Sequence, residues 1–307
     1  MKAPLASIII PAFEFHHTLG TCLESIRAQQ CTDFELIVVD SSPEDRARVI
    51  VESVYPNAIY FHSAVRLLPQ AARNYGAHHA RGEVLVFTDP DIYPPPLWLD
   101  TLLAAWREGH PVVLGAIACQ GKRWIDRGAH LCKFAICLPA GEARQASLGW
   151  SGNILVTRTL FESLGGWEAE RTQGDSVFTA RVRQAGYPLW FEPKAIVFHD
   201  HERLNLLSFL AERRMRGAEF AEIEVGGALG ESRWATPVIP RRLLPMLGLL
   251  PLRIANRAMH IGIEAHRAGL AGDFVQTLPV VLLGVTAWYL GMAQTYWKQA
   301  CANRPQS

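Results

Sequence analysis

What most constrains this chain is a series of short, unbroken apolar runs that stop at polar or acidic residues. Ala6 to Phe13 is β-branched and apolar, with Pro11 close to its end. Phe34 to Asp40 repeats the pattern, and Val84 to Thr88 repeats it again before Asp89-Pro90-Asp91. Runs this short without polar alternation read as strands buried on both faces. The stretches between them have helical spacing. Thr18 to Gln29 puts Leu19, Cys22, Leu23 and Ile26 on one side, with Thr18 as the N-cap. Asp45 to Tyr55 and Pro69 to Ala80 read as further helices, Ala58 to Phe61 as a short strand, and Gly82-Glu83 as the turn into Val84. Strands alternating with helices at this spacing call for right-handed crossovers. The expected class is α/β, a mainly parallel sheet covered by helices on both faces.

In such sheets ligands collect beyond the carboxyl ends of the strands. That rim receives Pro11-Ala12-Phe13-Glu14, Asp40-Ser41-Ser42 and Asp89-Pro90-Asp91. Two carboxylates two residues apart can share a divalent cation with a diphosphate. Mg²⁺ and Mn²⁺ take hard oxygen ligands and complete their shells with substrate phosphates. An ordinary acidic loop reads the same way, so the pair gains weight only from its neighbours. Asp40 could accept a hydrogen bond from a base or ribose, or cap the next turn. Arg73, on the helix before Asp89, could pair with a phosphate or with Asp89, or be a solvated helix charge. Asp175 opens a helix after Gly165-Gly166-Trp167 and Gly174, where the helix dipole favours its ionised form. That suits a general base that stays deprotonated until it takes a hydroxyl proton, and it equally suits an N-cap. His199 closes a later strand and could ligate a metal or touch a diphosphate, or be structural. His201 reads as structural.

Val112 to Ala118 reads as a strand, Cys119 to Ser147 as irregular, and Gly149 to Thr157 as a strand whose glycine marks close backbone approach. Thr159 to Leu164 reads as a short helix closed by Gly165-Gly166, and Asp175 to Ala185 as another. Leu189 to His199 contains a strand. Phe209 to Phe220 holds Arg213, Arg214 and Arg216. Leu243 to Ile254 is apolar and flanked by Arg241, Arg242, Arg253 and Arg257, while Val275 to Trp297 is nearly uncharged. About 20 apolar residues span a bilayer, so this last segment is borderline. Pro279 and the Tyr296-Trp297-Lys298 end suit a membrane interface; a buried helical pair is the alternative. A formal net charge of +1 argues against a nucleic-acid partner. The six cysteines are scattered with no Cys-x-x-Cys pair, which fits a reducing compartment. No signal peptide is expected ahead of the first strand.

Taken in order, these pieces resemble the inverting family-2 glycosyltransferases of GT-A fold, membrane-associated bacterial type. The likeness runs from about residue 5 to 220. It is carried by Ser7-Ile8-Ile9-Ile10-Pro11-Ala12-Phe13, Leu36-Ile37-Val38-Val39-Asp40-Ser41-Ser42, Ala72-Arg73-Asn74-Tyr75-Gly76-Ala77 and Ala80-Arg81-Gly82-Glu83. Val84 to Asp91, Ser151-Gly152-Asn153, Leu164-Gly165-Gly166-Trp167, Gly174-Asp175, Ala185-Gly186-Tyr187 and His199 complete it. The resemblance implies a GT-A, Rossmann-like domain over residues 1–225, with a nucleotide-binding half at about 1–118 and an acceptor half at about 119–225. A helical, membrane-associated region would follow at 226–307. It implies that Pro11, Ala12, Phe13, Glu14 and Asp40 hold the base and ribose, and that Arg73 supports the donor or the metal carboxylates. Asp89 would face the ribose or donor sugar, and Gly152 and Asn153 would be substrate-binding positions. Asp91 and His199 would hold Mn²⁺ or Mg²⁺, and Asp175 would be the catalytic base. Arg213 would contact the donor pyrophosphate. The implied reaction moves a sugar from a nucleotide-sugar donor, UDP-linked by expectation, to a lipid-linked or glycan acceptor. The implied place is the cytoplasmic face of the inner membrane, peripheral or with a C-terminal membrane helix.

The sequence departs from the family at one telling place. The usual acidic pair before the base is Gly174-Asp175 here, so the first carboxylate is missing. That leaves an inactive, glycosyltransferase-like membrane scaffold as an alternative. A nucleotidyltransferase on a similar scaffold would carry a glycine-rich, basic loop after the first strand. The loop here is Ala12-Phe13-Glu14-Phe15.

Overall fold

The computed structural model describes residues 3–15, 17–201, 205–225 and 248–302. In chain order the elements are β1 (Ala6–Ala12), α1 (Leu19–Arg27), β2 (Phe34–Asp40), α2 (Arg46–Val54), β3 (Ile59–His62), α3 (Pro69–His79), β4 (Val84–Thr88) and β5 (Ile92–Tyr93). Then come α4 (Trp98–Arg107), β6 (Val112–Cys119), α5 (Trp124–Phe134), β7 (Arg144–Ala146), β8 (Asn153–Thr157), α6 (Arg158–Ser163), α7 (Gly174–Gln184) and β9 (Leu189–His199). The last helices are α8 (Leu206–Val225), α9 (Leu250–Arg267) and α10 (Ala271–Ala302). The chain forms two compact units. One comprises Met1–Gln120 and Gly141–Asp200, the other Gly121–Ala140 and His201–Ser307.

The first unit is a nine-stranded sheet in the order β3-β2-β1-β4-β8-β6-β9-β5, with β7 paired to β9. Its first four strands are parallel, as the apolar runs require. Every residue of β1 and of β4 is buried. The register places Ala12 beside Asp40 and Ile9 beside Phe87, so β1, β2 and β4 deliver their polar ends to one rim. Beyond β4 the sheet becomes mixed, because β8 runs antiparallel between β4 and β6.

Several local expectations need correction. The segment expected to be irregular, Cys119 to Ser147, contains α5 and β7. Helix α5 carries Trp124, Ile125, Leu131 and Phe134, and its start is fixed by a reciprocal cap between Arg123 and Asp126. Helix α4 buries Trp98, Leu99, Leu102 and Leu103, a period readable in the sequence after the Pro94-Pro95-Pro96 run but not read above. The strand expected from Gly149 begins only at Asn153. Thr18 stands at the N-cap of α1, but its hydroxyl donates to the Phe15 carbonyl oxygen rather than capping the helix.

The second unit draws its boundary elsewhere than residue 225. Helices α5 and α8 group with α9 and α10, because Ala129 and Cys132 of α5 and Phe209 of α8 share a core with Ile261, Val280 and Val285. Helices α8 and α10 approach backbone to backbone. A Cβ on Gly217 would collide with the Trp288 carbonyl, and one on Gly291 with that of Arg214. The stretch Ala271–Gln299 has a mean hydropathy of 1.5 and is long enough to cross a bilayer, yet 39% of its most apolar window is buried. Arg241, Arg242 and the first part of the Leu243 to Ile254 run lie outside the described residues.

Candidate active site

The acidic rim is built at the end of β4. Asp89 leaves that strand and its carboxylate is bonded to the Arg73 guanidinium. Arg73 reaches it from α3 and is itself only 3% exposed. A buried guanidinium that meets a carboxylate takes one defined geometry, so this pair neutralises Asp89 and fixes where it points. Asp91 is left to act separately. Short strand β5 pairs antiparallel with the end of β9, with Ile92 opposite His199, and the Asp200 N–H donates to the Asp91 carbonyl at 2.9 Å. That pairing sets His199 Nε2 3.6 Å from Asp91 Oδ2. Both side chains are largely buried. Below them lies Cys22, whose Sγ donates to the Asp89 carbonyl at 3.5 Å. Burial, and then the Asp91 and Asp89 carboxylates, push its thiol far above the usual range. Tyr93 donates to Asp200 Oδ2 at 3.1 Å and is likewise pushed up by burial first and then by Asp200. This end of the sheet carries excess negative charge, and one carboxylate plus one imidazole facing each other fit a borderline cation such as Mn²⁺.

The ends of β1 and β2 form the second part. Pro11 and Ala12 lie within β1 and are buried, paired with Val39 and Asp40. Only Phe13 and Glu14 extend past the strand, and Glu14 takes φ +58. The hydroxyl of Ser42 clasps the two ends: it accepts from Glu14 N at 2.8 Å and donates to Asp40 Oδ1 at 2.6 Å. The carboxylate of Asp40 also accepts from Ser42 N at 2.9 Å and, through Oδ2, from Tyr60 at 2.8 Å. Asp40 is therefore fully buried and hydrogen-bonded on both oxygens. Of the two roles the sequence left open, acceptor for base or ribose and residue of the next turn, these bonds are of the second kind: Asp40 holds the loop on which Ser41, Ser42 and Glu14 stand. Ligand atoms of Asp40, Asp45 and His62 come within 4.8 Å of one another. Tyr60 already bridges the two carboxylates, with Asp45 Oδ1 at 3.0 Å.

Asp175 is the second residue of α7. Its Oδ1 accepts from the N–H of Ser176 at 2.9 Å and its Oδ2 from that of Ser151 at 3.2 Å. Both bonds favour the ionised form, as does its place in the first helical turn. A chain of contacts runs from Ser151 to the acidic rim. Gln70 Nε2 lies 3.4 Å from Ser151 Oγ, and Gln70 Oε1 accepts from Arg73 Nη1 at 3.1 Å. Arg73 then holds Asp89. Gly152 completes the joint from the other side, since a Cβ there would stand 3.0 Å from Asp89 Oδ2. Gln70 was not singled out from the sequence, although it lies one helical turn before Arg73 on the same face. The missing acid at Gly174 has a packing reason. A Cβ there would collide with the Glu168 carbonyl oxygen and lie 3.0 Å from Gln70 Cγ. Asn74 holds the approach to α7, donating to the Trp167 carbonyl at 2.8 Å and accepting from its N–H at 2.9 Å.

One expected position is placed differently. Asn153 is fully buried within the sheet rather than on the rim. Its amide donates to the carbonyls of Ala116 and Ala195, each at 2.8 Å, and its oxygen accepts from Trp98 Nε1 at 2.8 Å. It ties strands and α4 together. Arg213 lies in the second unit, buried, with Cζ 4.4 Å from the centroid of Trp288. The other expected residues stand in the first unit. Asp89, Asp91, Arg73, Gly152, Asp175 and His199 are joined there by the contacts above.

A sheet of this order with this rim defines a GT-A-type α/β domain. Residues 7–159, about half of the chain, match the protein family described as Glycosyl transferase family 2. The chain belongs to that family. It is similar to a "PGL/p-HBAD biosynthesis glycosyltransferase" of Mycobacterium bovis, 36% identical over 94 residues, which cover 30% of this chain and 37% of the relative. It is also similar to a "GalNAc(5)-diNAcBac-PP-undecaprenol beta-1,3-glucosyltransferase" of Campylobacter jejuni, 28% identical over 116 residues, covering 36% and 38%. The matched part thus spans little more than a third of the length of these curated relatives. Among solved structures, a mannosyltransferase from Pyrobaculum calidifontis in complex with GDP-Man and Mn²⁺ shares the fold. Its TM-score is 0.55 at 16% identity, over 92% of this chain and 88% of that one.

Proposed function

We propose that this chain is an inverting, metal-dependent glycosyltransferase. It moves a sugar from a UDP-linked donor to a lipid-linked or polysaccharide acceptor, with Asp175 as the base. The observation that carries this reading is the continuous chain Asp89–Arg73–Gln70–Ser151–Asp175. It couples the acidic rim to Asp175, a carboxylate suited to take a proton. Asp175 accepts the proton of the acceptor hydroxyl as that oxygen attacks the anomeric carbon. The bond from that carbon to the diphosphate breaks on the opposite face, so configuration inverts. A divalent cation, Mn²⁺ or Mg²⁺, would be held by Asp91 and His199 and would offset charge on the departing nucleoside diphosphate. Arg73 keeps Asp89 from repelling that group, and Phe13, Glu14 and the Ser42 clasp shape the base and ribose end. The Mn²⁺ in the mannosyltransferase structure and the undecaprenol-linked acceptor named for the Campylobacter relative support the metal and acceptor classes.

The helical unit suits contact with the cytoplasmic face of a membrane. Leu252, Met259 and Ile263 of α9 and Val275, Leu283, Leu290 and Trp297 of α10 are exposed apolar residues, a surface of the kind that rests in a bilayer interface. The test is a panel of nucleotide sugars incubated with the protein with and without Mn²⁺. Hydrolysis or transfer of one donor, dependent on the metal and lost in Asp91→Ala, is the expected result. No donor consumed under any condition, or Asp91→Ala turning over like the unchanged protein, overturns the reading.

A further inference from the structure

The space over Gly174, where the family's first carboxylate would stand, is filled from another element. A Cβ on Gly174 would lie 3.0 Å from Gln70 Cγ, so the Gln70 side chain of α3 rests across the start of α7. Gln70 is only 1% exposed. An amide buried to this degree must find its hydrogen bonds inside the protein. Those of Gln70 go to two polar side chains, Arg73 and Ser151.

The direction of these bonds is forced. A guanidinium only donates, so the Gln70 oxygen must face Arg73, whose Nη1 lies 3.1 Å away. Asp89 pins the same guanidinium from its other side. The Gln70 NH2 is thereby turned to Ser151 Oγ, at 3.4 Å. An NH2 group also only donates, so the Ser151 hydroxyl accepts there and sends its own proton elsewhere. Asp175 Oδ2 receives it, at 3.5 Å. Both contacts have the length of active-site hydrogen bonds that tighten once substrate is bound. Every link from Arg73 to Asp175 donates towards the base. With an acceptor in place of the NH2, the Ser151 hydroxyl would turn to that acceptor and away from Asp175.

We propose that Gln70 is a positioning residue for the base. It takes the place beside Asp175 that the first carboxylate of the family's pair has vacated. Through the Ser151 hydroxyl it holds Asp175 ionised and aimed at the acceptor hydroxyl. This role rests on the transferase reading and adds to it the group that orients the base. The test uses the full chain and the nucleotide sugar that the unchanged protein consumes, with Mn²⁺ present. Gln70→Met keeps the size of the side chain and removes both bonds. Gln70→Glu keeps the size and the contact with Arg73 but offers Ser151 an acceptor. Each should lower kcat about tenfold, the worth of one hydrogen bond to a charged group, and leave the donor KM unchanged. Ser151→Ala, which leaves α3 untouched and retains the backbone N–H bond to Asp175, should cost the same factor. Gln70→Met combined with Ser151→Ala should lose about tenfold in all, since both remove one link. A glutamine that merely packs would tolerate Gln70→Glu, or its loss would multiply with that of Ser151→Ala. In a protein that consumes a donor, full kcat in Ser151→Ala or in either Gln70 variant overturns this role alone. So do losses that multiply, and a loss confined to the donor KM. If the unchanged protein consumes no nucleotide sugar, the transferase reading falls and this role falls with it.

Discussion

Substituting Gly174 by alanine tests whether packing, rather than loss of function, removed the acid that usually precedes the base. The added Cβ would run into the Glu168 carbonyl oxygen, which is backbone and cannot swing away, and would stand 3.0 Å from Gln70 Cγ. Either the start of α7 or the 168 loop must move. Overpacking of this kind costs about 1–3 kcal/mol. For a protein of this size 2 kcal/mol lowers the melting temperature by roughly 3 °C. The displacement acts on function through two neighbours. Asp175 is the next residue, and Gln70 is the link between Ser151 and Arg73. A misplacement near 1 Å costs about a hundredfold in rate, so kcat/KM should fall between tenfold and a hundredfold. Gly174→Asp should do no better, although it restores the first carboxylate of the family's acidic pair. Thermal melting and initial rates with the active donor measure both effects. A Gly174→Ala protein that melts within a degree of the unchanged one and turns over at full rate refutes the packing argument. A Gly174→Asp protein of higher activity would do the same.

Asp175→Asn can keep only one of the two bonds from the Ser151 and Ser176 N–H groups, since its amide has a single acceptor oxygen, and it cannot take a proton. It should lower kcat by about 10²–10⁴ with the donor KM little changed, and retention of half the rate in a transfer assay would move the base elsewhere. Glu35 gives a pH dependence. Burial alone would raise its pKa, but Ser7 Oγ at 2.7 Å and the N–H and guanidinium of Arg81 outweigh it and hold the carboxyl below its ordinary value. Its stabilisation is therefore complete above the ordinary carboxylate range and is lost as pH falls through the folded value. Melting curves of the unchanged protein and Glu35→Gln should converge as pH drops from about 7 towards 3; a constant gap would show that another group is responsible. Exposed Leu252 and Met259 replaced together by aspartate should reduce co-sedimentation with anionic vesicles severalfold without lowering the melting temperature. Undiminished sedimentation would count against membrane contact through α9.

The apolar runs of β1, β2 and β4, the helical faces between them, and the placing of Asp89 and Asp91 just past a strand end were all legible in the sequence. Period and chain order determine which side of an element is buried and at which end it stops. The sequence could not show which distant rims would meet. His199 reaches Asp91 because β5, two residues long, pairs with the end of β9, and no periodicity marks a strand that short. Asp175 connects to Asp89 through Ser151, Gln70 and Arg73, polar residues whose partners lie on other elements. Asp40 could be read as a ligand acceptor or as a turn residue, and Asn153 was a substrate position only by resemblance, because side-chain type reveals nothing of direction. The fold turned both inward, where a buried carboxylate or amide must satisfy its own hydrogen bonds. Helix α5 joined the C-terminal helices for the same kind of reason. Its small apolar face had no partner nearby in the chain and found one in Phe209 and Val280.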